Sequence, residues 1–325
     1  MGVVEMKPNR LCCSLGIFLF LFLVLGPADA RPVRIAYPGI SIGAMVPALA
    51  LEKKFFQQEG LQVELISIAS NRGIAAMIGG DIDYSTASST GLRAGLQGLP
   101  VKVLMFYVRR PYHALVGQKG MKSIQDLRGK TVATSGPVGA AYYIPRAILE
   151  HYGLNPDRDV KLMSVGGGDI AERLLQLEKQ HFDATVLSPP LLFIAEEKGY
   201  PILSTAADFL ELPQQGIIAT KQKLESNPEE VKKVLSIFLR TLQFVQERKK
   251  DTVDFMRRWL RIEERVADKS YLMVLQTFSW NGEVGLKAVE DSIALAKKEA
   301  KIAREVPPNE LLDFGLLREV RARAP

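Results

Sequence analysis

From Val33 to Thr220 the chain alternates short apolar runs with stretches whose apolar residues recur three or four positions apart, the pattern of strands interleaved with amphipathic helices. The apolar runs predict strands at Val33 to Tyr37, Gln62 to Ile68, Tyr84 to Ala87 and Val101 to Val108. Between them the pattern predicts helices from the Ser41 to Gly43 turn to about Phe56, from Gly73 to Ile78, and from the Ser88 to Gly91 turn to Leu96. A βαβαβαβ run of this kind implies a mainly parallel sheet with right-handed crossovers.

Past Arg109-Arg110-Pro111 a second unit begins. Its predicted strands are His113 to Gly117, Thr131 to Ser135, Val160 to Val165, Ala184 to Leu187 and Ile202 to Ser204, with helices at Ala140 to Tyr152 and Ile170 to Gln180. Gly216 to Thr220 reads as a return strand, and the chain after Asn227-Pro228 reads as helices, interrupted near Asn281-Gly282 and Pro307-Pro308. Two sheet units joined near 109 to 113 and 213 to 217 describe two α/β lobes with a cleft between them.

Four turns share one composition: Gly39-Ile40-Ser41-Ile42-Gly43, Ser70-Asn71-Arg72-Gly73, Ser88-Ser89-Thr90-Gly91 and Ser135-Gly136-Pro137-Val138-Gly139. Each follows a strand and opens a helix, where unpaired backbone N–H groups favour anions and where open α/β sheets bind ligands. Taken singly, each Ser or Gly is as readily a helix cap as a ligand contact. Arg72 either reaches a ligand or covers the lobe surface. Gly166-Gly167-Gly168-Asp169 resembles a phosphate cradle but has no partnering Lys, and a capping loop explains it better. Of the three histidines, His113 lies at the presumed crossing, where a buried hinge role competes with a ligand contact, and His151 and His181 sit at helix ends. Adjacent Tyr142 and Tyr143 point about 100° apart on a helix, so at most one is expected to face the cleft.

Lys7 and Arg10 precede an uncharged run from Leu15 to Leu25, and Ala28-Asp29-Ala30 supplies the small residues of a cleavage site, so residues 1–30 read as a signal peptide. The apolar stretch is short of the ~20 residues a membrane-spanning helix needs. Both cysteines, Cys12 and Cys13, fall in that segment and leave the mature chain without a thiol nucleophile or disulfide. The net charge of +6 raises nucleic acid as a partner. Export and the mixing of signs argue against it: Arg248-Lys249-Lys250 is followed by Asp251 and Asp254, and Arg257-Arg258 by Glu263-Glu264. No histidine has a neighbour at metal-ligand spacing, and neither a metal nor a cofactor is expected.

Three segments in combination carry a family resemblance: Ala50-Leu-Glu-Lys-Lys-Phe-Phe-Gln-Gln-Glu-Gly60-Leu-Gln-Val-Glu, Met77-Ile-Gly-Gly-Asp81-Ile-Asp83, and Phe182-Asp-Ala-Thr-Val-Leu-Ser-Pro-Pro190. With Arg34-Ile-Ala-Tyr and Ser123 to Ala133, the chain from Arg34 to Phe244 resembles the aliphatic-sulfonate, taurine and nitrate family of ABC-importer substrate-binding proteins, related to the pyrimidine-precursor binding proteins of thiamine pathways. It departs from that family at Lys54, where glycine is frequent. The resemblance implies a type II periplasmic-binding-protein fold, with one lobe of residues 31–111 and 217–325 and another of 112–216. It further implies ligand contacts at Ser41, Ile42, Asn71, Arg72, Ser88, Ser89, Thr90, Ser135, Gly136, Val138, Gly139 and Ser188. Amino-acid-binding relatives place an acid in the cleft; Ser188 stands at that place, which argues against an α-amino acid.

These readings imply a monomeric, exported receptor that hands a small anionic or oxygen-rich solute to an inner-membrane permease. Two alternatives remain: an enzyme on the same fold, of the thiamine-precursor or menaquinone kind, and a sensory binding module. The missing acid–base pair and mature thiol disfavour the enzyme.

Overall fold

The computed structural model describes residues 1–2, 31–134, 140–165, 170–303 and 305–323. Residues 1–31 and 32–325 separate as two units, and the candidate turn Ser135, Gly136, Val138, Gly139, the Gly166 to Asp169 loop and residues 3–30, expected from the sequence to belong to a signal peptide, lie outside the described residues. Among the described residues no helix is long and apolar enough to cross a membrane.

Within 32–325 the chain lays down strands β1 (Val33–Tyr37), β2 (Val63–Ser67), β3 (Tyr84–Ser85) and β4 (Val101–Val108). It then crosses to a second sheet for β5 (Ala114–Gly117), β6 (Thr131–Thr134), β7 (Lys161–Ser164), β8 (Ala184–Leu187) and β9 (Ile202–Thr205), and returns for β10 (Gln215–Thr220). The sheet orders are β2-β1-β3-β10-β4 and β7-β6-β8-β5-β9. Both therefore hold a parallel trio and an antiparallel strand inserted beside it: β10 pairs antiparallel with β3 and β4, and β5 with β8 and β9. The expected return strand Gly216 to Thr220 is β10; what the local βαβ pattern did not indicate is that it, and β5 in the other sheet, run antiparallel between the neighbouring strands.

The cores follow the strand faces. Ile35, Met45, Leu49, Tyr107 and Phe238 are fully shielded in the first half, and Leu115, Val132, Ile144 and Val186 in the second; each such aliphatic side chain contributes roughly 1.5–3 kcal/mol. The helix expected to run to Phe56 breaks in two, Met45–Glu52 and Phe55–Gln58, because Lys54 adopts a left-handed backbone (φ 59°) between them. A glycine at that position would take the same turn without a Cβ penalty. The helix Leu191–Glu197, which follows β8, had no counterpart in the sequence reading.

The two crossings are tied to each other. His113 accepts the Ala206 N–H at 3.0 Å, the Gln214 N–H donates to the Val108 carbonyl at 2.9 Å, and Arg110 Nη1 donates to the Ala207 carbonyl at 3.4 Å. That lattice sets the facing of the sheet ends where the cleft lies.

Candidate functional site

Two cavities share one wall. Pro38, Tyr112, His113 and Gln215 line both a space of about 330 Å³ and a neighbouring one of about 500 Å³. The smaller adds Ser70, Ser89, Thr90, Arg93, Tyr143 and Gln214; the larger adds Gly39, Ile40, Ser41 and the Ser188 to Leu191 segment. The lining thus comes from the strand ends and crossings of both sheets, and its described members include no carboxylate.

The shared wall is built by polar side chains that brace one another. Gln215 Nε2 donates to the Tyr112 hydroxyl at 3.2 Å, and the Tyr112 and His113 rings stack with centroids 5.2 Å apart. Burial pushes the Tyr112 phenol up, opposed in part by the Ser41 hydroxyl. The His113 imidazole is pushed down to about 3, first by burial and then by the charge of Arg173, so it is neutral across the physiological range. Three shielded polar atoms of this region, His113 Nδ1, Gln215 Oε1 and Ser88 Oγ, have no hydrogen-bond partner among the described residues. Such groups cost free energy unless a ligand or water meets them. Gly43 is needed here: a Cβ on it would lie 1.7 Å from Gln215 Oε1.

The sequence candidates divide under this geometry. Ser41, Ser89, Thr90 and Ser188 line the cavities. Ile42 does not: its side chain is fully shielded in the core beside Met45 and Leu49. Asn71 and Arg72 are exposed on the helix Ser70–Ile78 and line neither cavity, since that helix turns Gly73, Ile74 and Met77 inward. Ser88 is fully buried beneath the lining, where a Cβ on Gly216 would approach it at 2.7 Å. The expectation of free N–H groups at that helix start also fails in part: Ser88 N–H donates to the Thr86 carbonyl and Ser89 N–H to the Gln214 carbonyl, both at 3.0 Å.

Several lining residues escaped sequence reading. Arg93, a full turn into the helix Ser88–Leu96, is the cation of the described lining. Tyr143, one of the two tyrosines considered for the cleft, does line the smaller cavity, and accepts from Gln214 Nε2 at 3.3 Å across the two halves. Ser292, Leu295 and Ala296 come from the helix Leu286–Ala300, beyond the segment that carried the family resemblance. Gln214 and Gln215 escaped sequence reading as well, although an adjacent pair of amides at the predicted second crossing was an available signal. Among the described residues no group of three His, Cys, Asp or Glu could hold a metal.

The profile of the family described as NMT1/THI5 like matches residues 45–251, more than half of the chain. The chain belongs to the NMT1/THI5-like family. A Brucella abortus protein named provisionally as a binding protein is 22% identical over 246 residues, covering 73% of this chain and 74% of its own. The periplasmic aliphatic sulphonate binding protein SsuA of Escherichia coli has the same fold, with a TM-score of 0.72 at 15% identity over 89% of this chain and all of SsuA. So does the desulfurization enzyme DSZB, at a TM-score of 0.69 and 12% identity over 90% of this chain and 99% of DSZB. The fold of this NMT1/THI5-like chain is therefore that of periplasmic binding proteins, and it is a fold that also carries an enzyme.

Proposed function

We propose that this chain is the solute-binding component of an ABC importer, exported by residues 1–30, and that lobes of residues 31–111 with 217–325 and 112–216 close on a small anionic or oxygen-rich solute. The observation that carries this reading is the cleft wall: hydroxyls of Ser41, Ser89, Thr90 and Ser188, the Arg93 guanidinium, a neutral His113, and no carboxylate among the described lining residues. Anions gain charge-assisted hydrogen bonds from such groups, while a cation would be desolvated without return. Binding without turnover fits as well, because an imidazole held near 3 is far from the value at which a general base works at neutral pH.

Titration calorimetry of residues 31–325 with sulfonates, carboxylates, pyrimidines and polyamines tests the reading. Anions are expected to bind, and Arg93→Ala to weaken the tightest of them by roughly 1.5–3 kcal/mol while Arg72→Ala leaves it unchanged. Tight polyamine binding, or an unaltered affinity in Arg93→Ala, refutes the charge preference. Product detected by mass spectrometry after incubation would favour the enzyme.

A further inference from the structure

The smaller cavity does not end at its own walls. Tyr143, Leu212 and Leu295 also line a groove of about 670 Å³ that runs on between the helices Ala140–His151 and Leu286–Ala300, one from each half of the molecule. Both spaces have mixed linings, but their polar groups differ. The cavity offers the hydroxyls and amides of Ser89, Thr90, Gln214 and Gln215, whereas in the groove Tyr142, Ala147, Phe209, Leu210 and Ala288 form an apolar and aromatic surface beside charged side chains. Of the charged residues that line it, Arg146 pairs with Asp157 at 2.7 Å, Lys287 with Asp291, and Glu211 with Arg109 at 3.9 Å. Arg146 also lies over the Tyr142 ring, 5.4 Å from its centroid.

The geometry points to an extended, two-part ligand: an oxygen-rich head group in the 330 Å³ cavity and a planar apolar portion lying in the adjoining groove against Tyr142, Tyr143 and Phe209. This deepens the proposed function and rests on its head-group assignment. The added space exceeds what a bare inorganic anion or a two-carbon sulfonate could fill, and an unfilled apolar groove open to water forgoes the burial that drives small-molecule affinity.

Head-matched probe pairs separate the two claims: methanesulfonate with biphenyl-2-sulfonate, acetate with 2-naphthaleneacetate, and inorganic phosphate with flavin mononucleotide, each titrated calorimetrically. In at least one pair the extended member is expected to bind more than about tenfold tighter than the short one. Ala147→Trp, which fills the groove from a half-buried helix position outside the cavity, should remove most of that margin and leave the short member unchanged. Tyr142→Ala, at a second half-buried position, should reduce the margin without filling anything. Unchanged melting temperatures show that both variants fold. Short members binding as tightly as extended ones overturn this inference and leave the head-group reading standing; so does a margin that survives Ala147→Trp. Failure of all six probes to bind overturns both.

Discussion

Strand for strand the two sheets correspond: β1 to β6, β2 to β7, β3 to β8, and the exchanged strands β10 to β5. The likeness extends to side chains. In the first sheet the Asp83 N–H donates to the Arg34 carbonyl at 3.0 Å while the Asp83 carboxylate accepts the Arg34 N–H at 2.9 Å. In the second, Asp183 and Thr131 make the same pair of bonds at 2.9 and 2.8 Å. A carboxylate at the start of the third strand thus clamps the start of the first in both halves. The differences lie at the other end, where β3 leads into Ser88, Ser89 and Thr90 and β8 into Ser188, Pro189 and Pro190. One plan fixes the frame twice, and the turns at the carboxyl ends of the strands make the two sides of the cleft unlike.

The exchanged strands offer the sharpest break between the halves. Each carries a glycine whose missing Cβ admits a neighbour, but the neighbours differ. A Cβ at Gly216 of β10 would sit 1.8 Å from the Met105 carbonyl oxygen, which is backbone, whereas at Gly117 of β5 it would meet the Leu203 Cδ1 and Met121 Sδ side-chain ends at 2.8 Å. Gly216→Ala should therefore cost about 4 kcal/mol or more, close to the whole stability of many domains, and Gly117→Ala only about 1 kcal/mol. Urea unfolding of the two variants checks this, and equal losses would mean that the strands are not packed as unlike neighbours.

The clamping aspartates come next. Asp83 is deeply buried, with Lys223 Nζ at 3.0 Å and Glu230 reaching the same ammonium at 2.7 Å, while the Asp183 side chain is 32% exposed with Lys130 at 3.8 Å. Removing one member of a buried charge network is expensive, although Glu230 keeps Lys223 paired here. Asp83→Ala should cost roughly 3 kcal/mol and Asp183→Ala, discounted for its exposure, about 1 kcal/mol. If Asp183→Ala proved the more damaging, the clamp rather than its charged surroundings would set the energy.

Sequence reading captured the strands of both halves because their apolar runs are local signals: Val101 to Val108 and Ala184 to Leu187 fall where expected. Ser41, Ser89, Thr90 and Ser188, singled out in the sequence, line cavities because they sit in turns after strands, where open α/β sheets form their crevice. Sequence reading left Arg72 open between a ligand contact and the lobe surface, because exposure on a helix depends on which face packs; in the structure Arg72 is exposed and lines neither cavity. Arg93 and Leu295 were invisible for the complementary reason. Both lie inside helices and reach the cleft only through tertiary packing.

A smaller effect is expected where the halves meet. His113 keeps its folded-state value near 3 against about 6.5 unfolded, so below 6.5 the unfolded chain binds the proton the folded one refuses. Its contribution is fully present above pH 6.5 and is lost as pH falls toward 3. At pH 5 the loss relative to pH 7.5 comes to roughly 2 kcal/mol. His113→Gln should flatten that limb of the stability curve measured by urea unfolding between pH 7.5 and 5. A variant whose curve parallels the wild type would assign the acid sensitivity elsewhere.

The smallest effect concerns a single backbone angle that the halves solve with different residues. Three positions before each clamping aspartate the chain leaves a helix through a left-handed residue: Gly80 (φ 85°) in the first half and Gln180 (φ 58°) in the second. For glycine this conformation carries no Cβ penalty, while for glutamine it costs roughly 1–2 kcal/mol. Glycine also loses more backbone entropy on folding, about 0.5–1 kcal/mol, which offsets part of the gain. Gln180→Gly should therefore stabilise the protein by roughly 0.5–1 kcal/mol, and Gly80→Ala should destabilise it by a similar amount. The signs are opposite although the two sites occupy the same place in the plan. Urea midpoints moving in the same direction for both variants would show that the two helix ends are not equivalent.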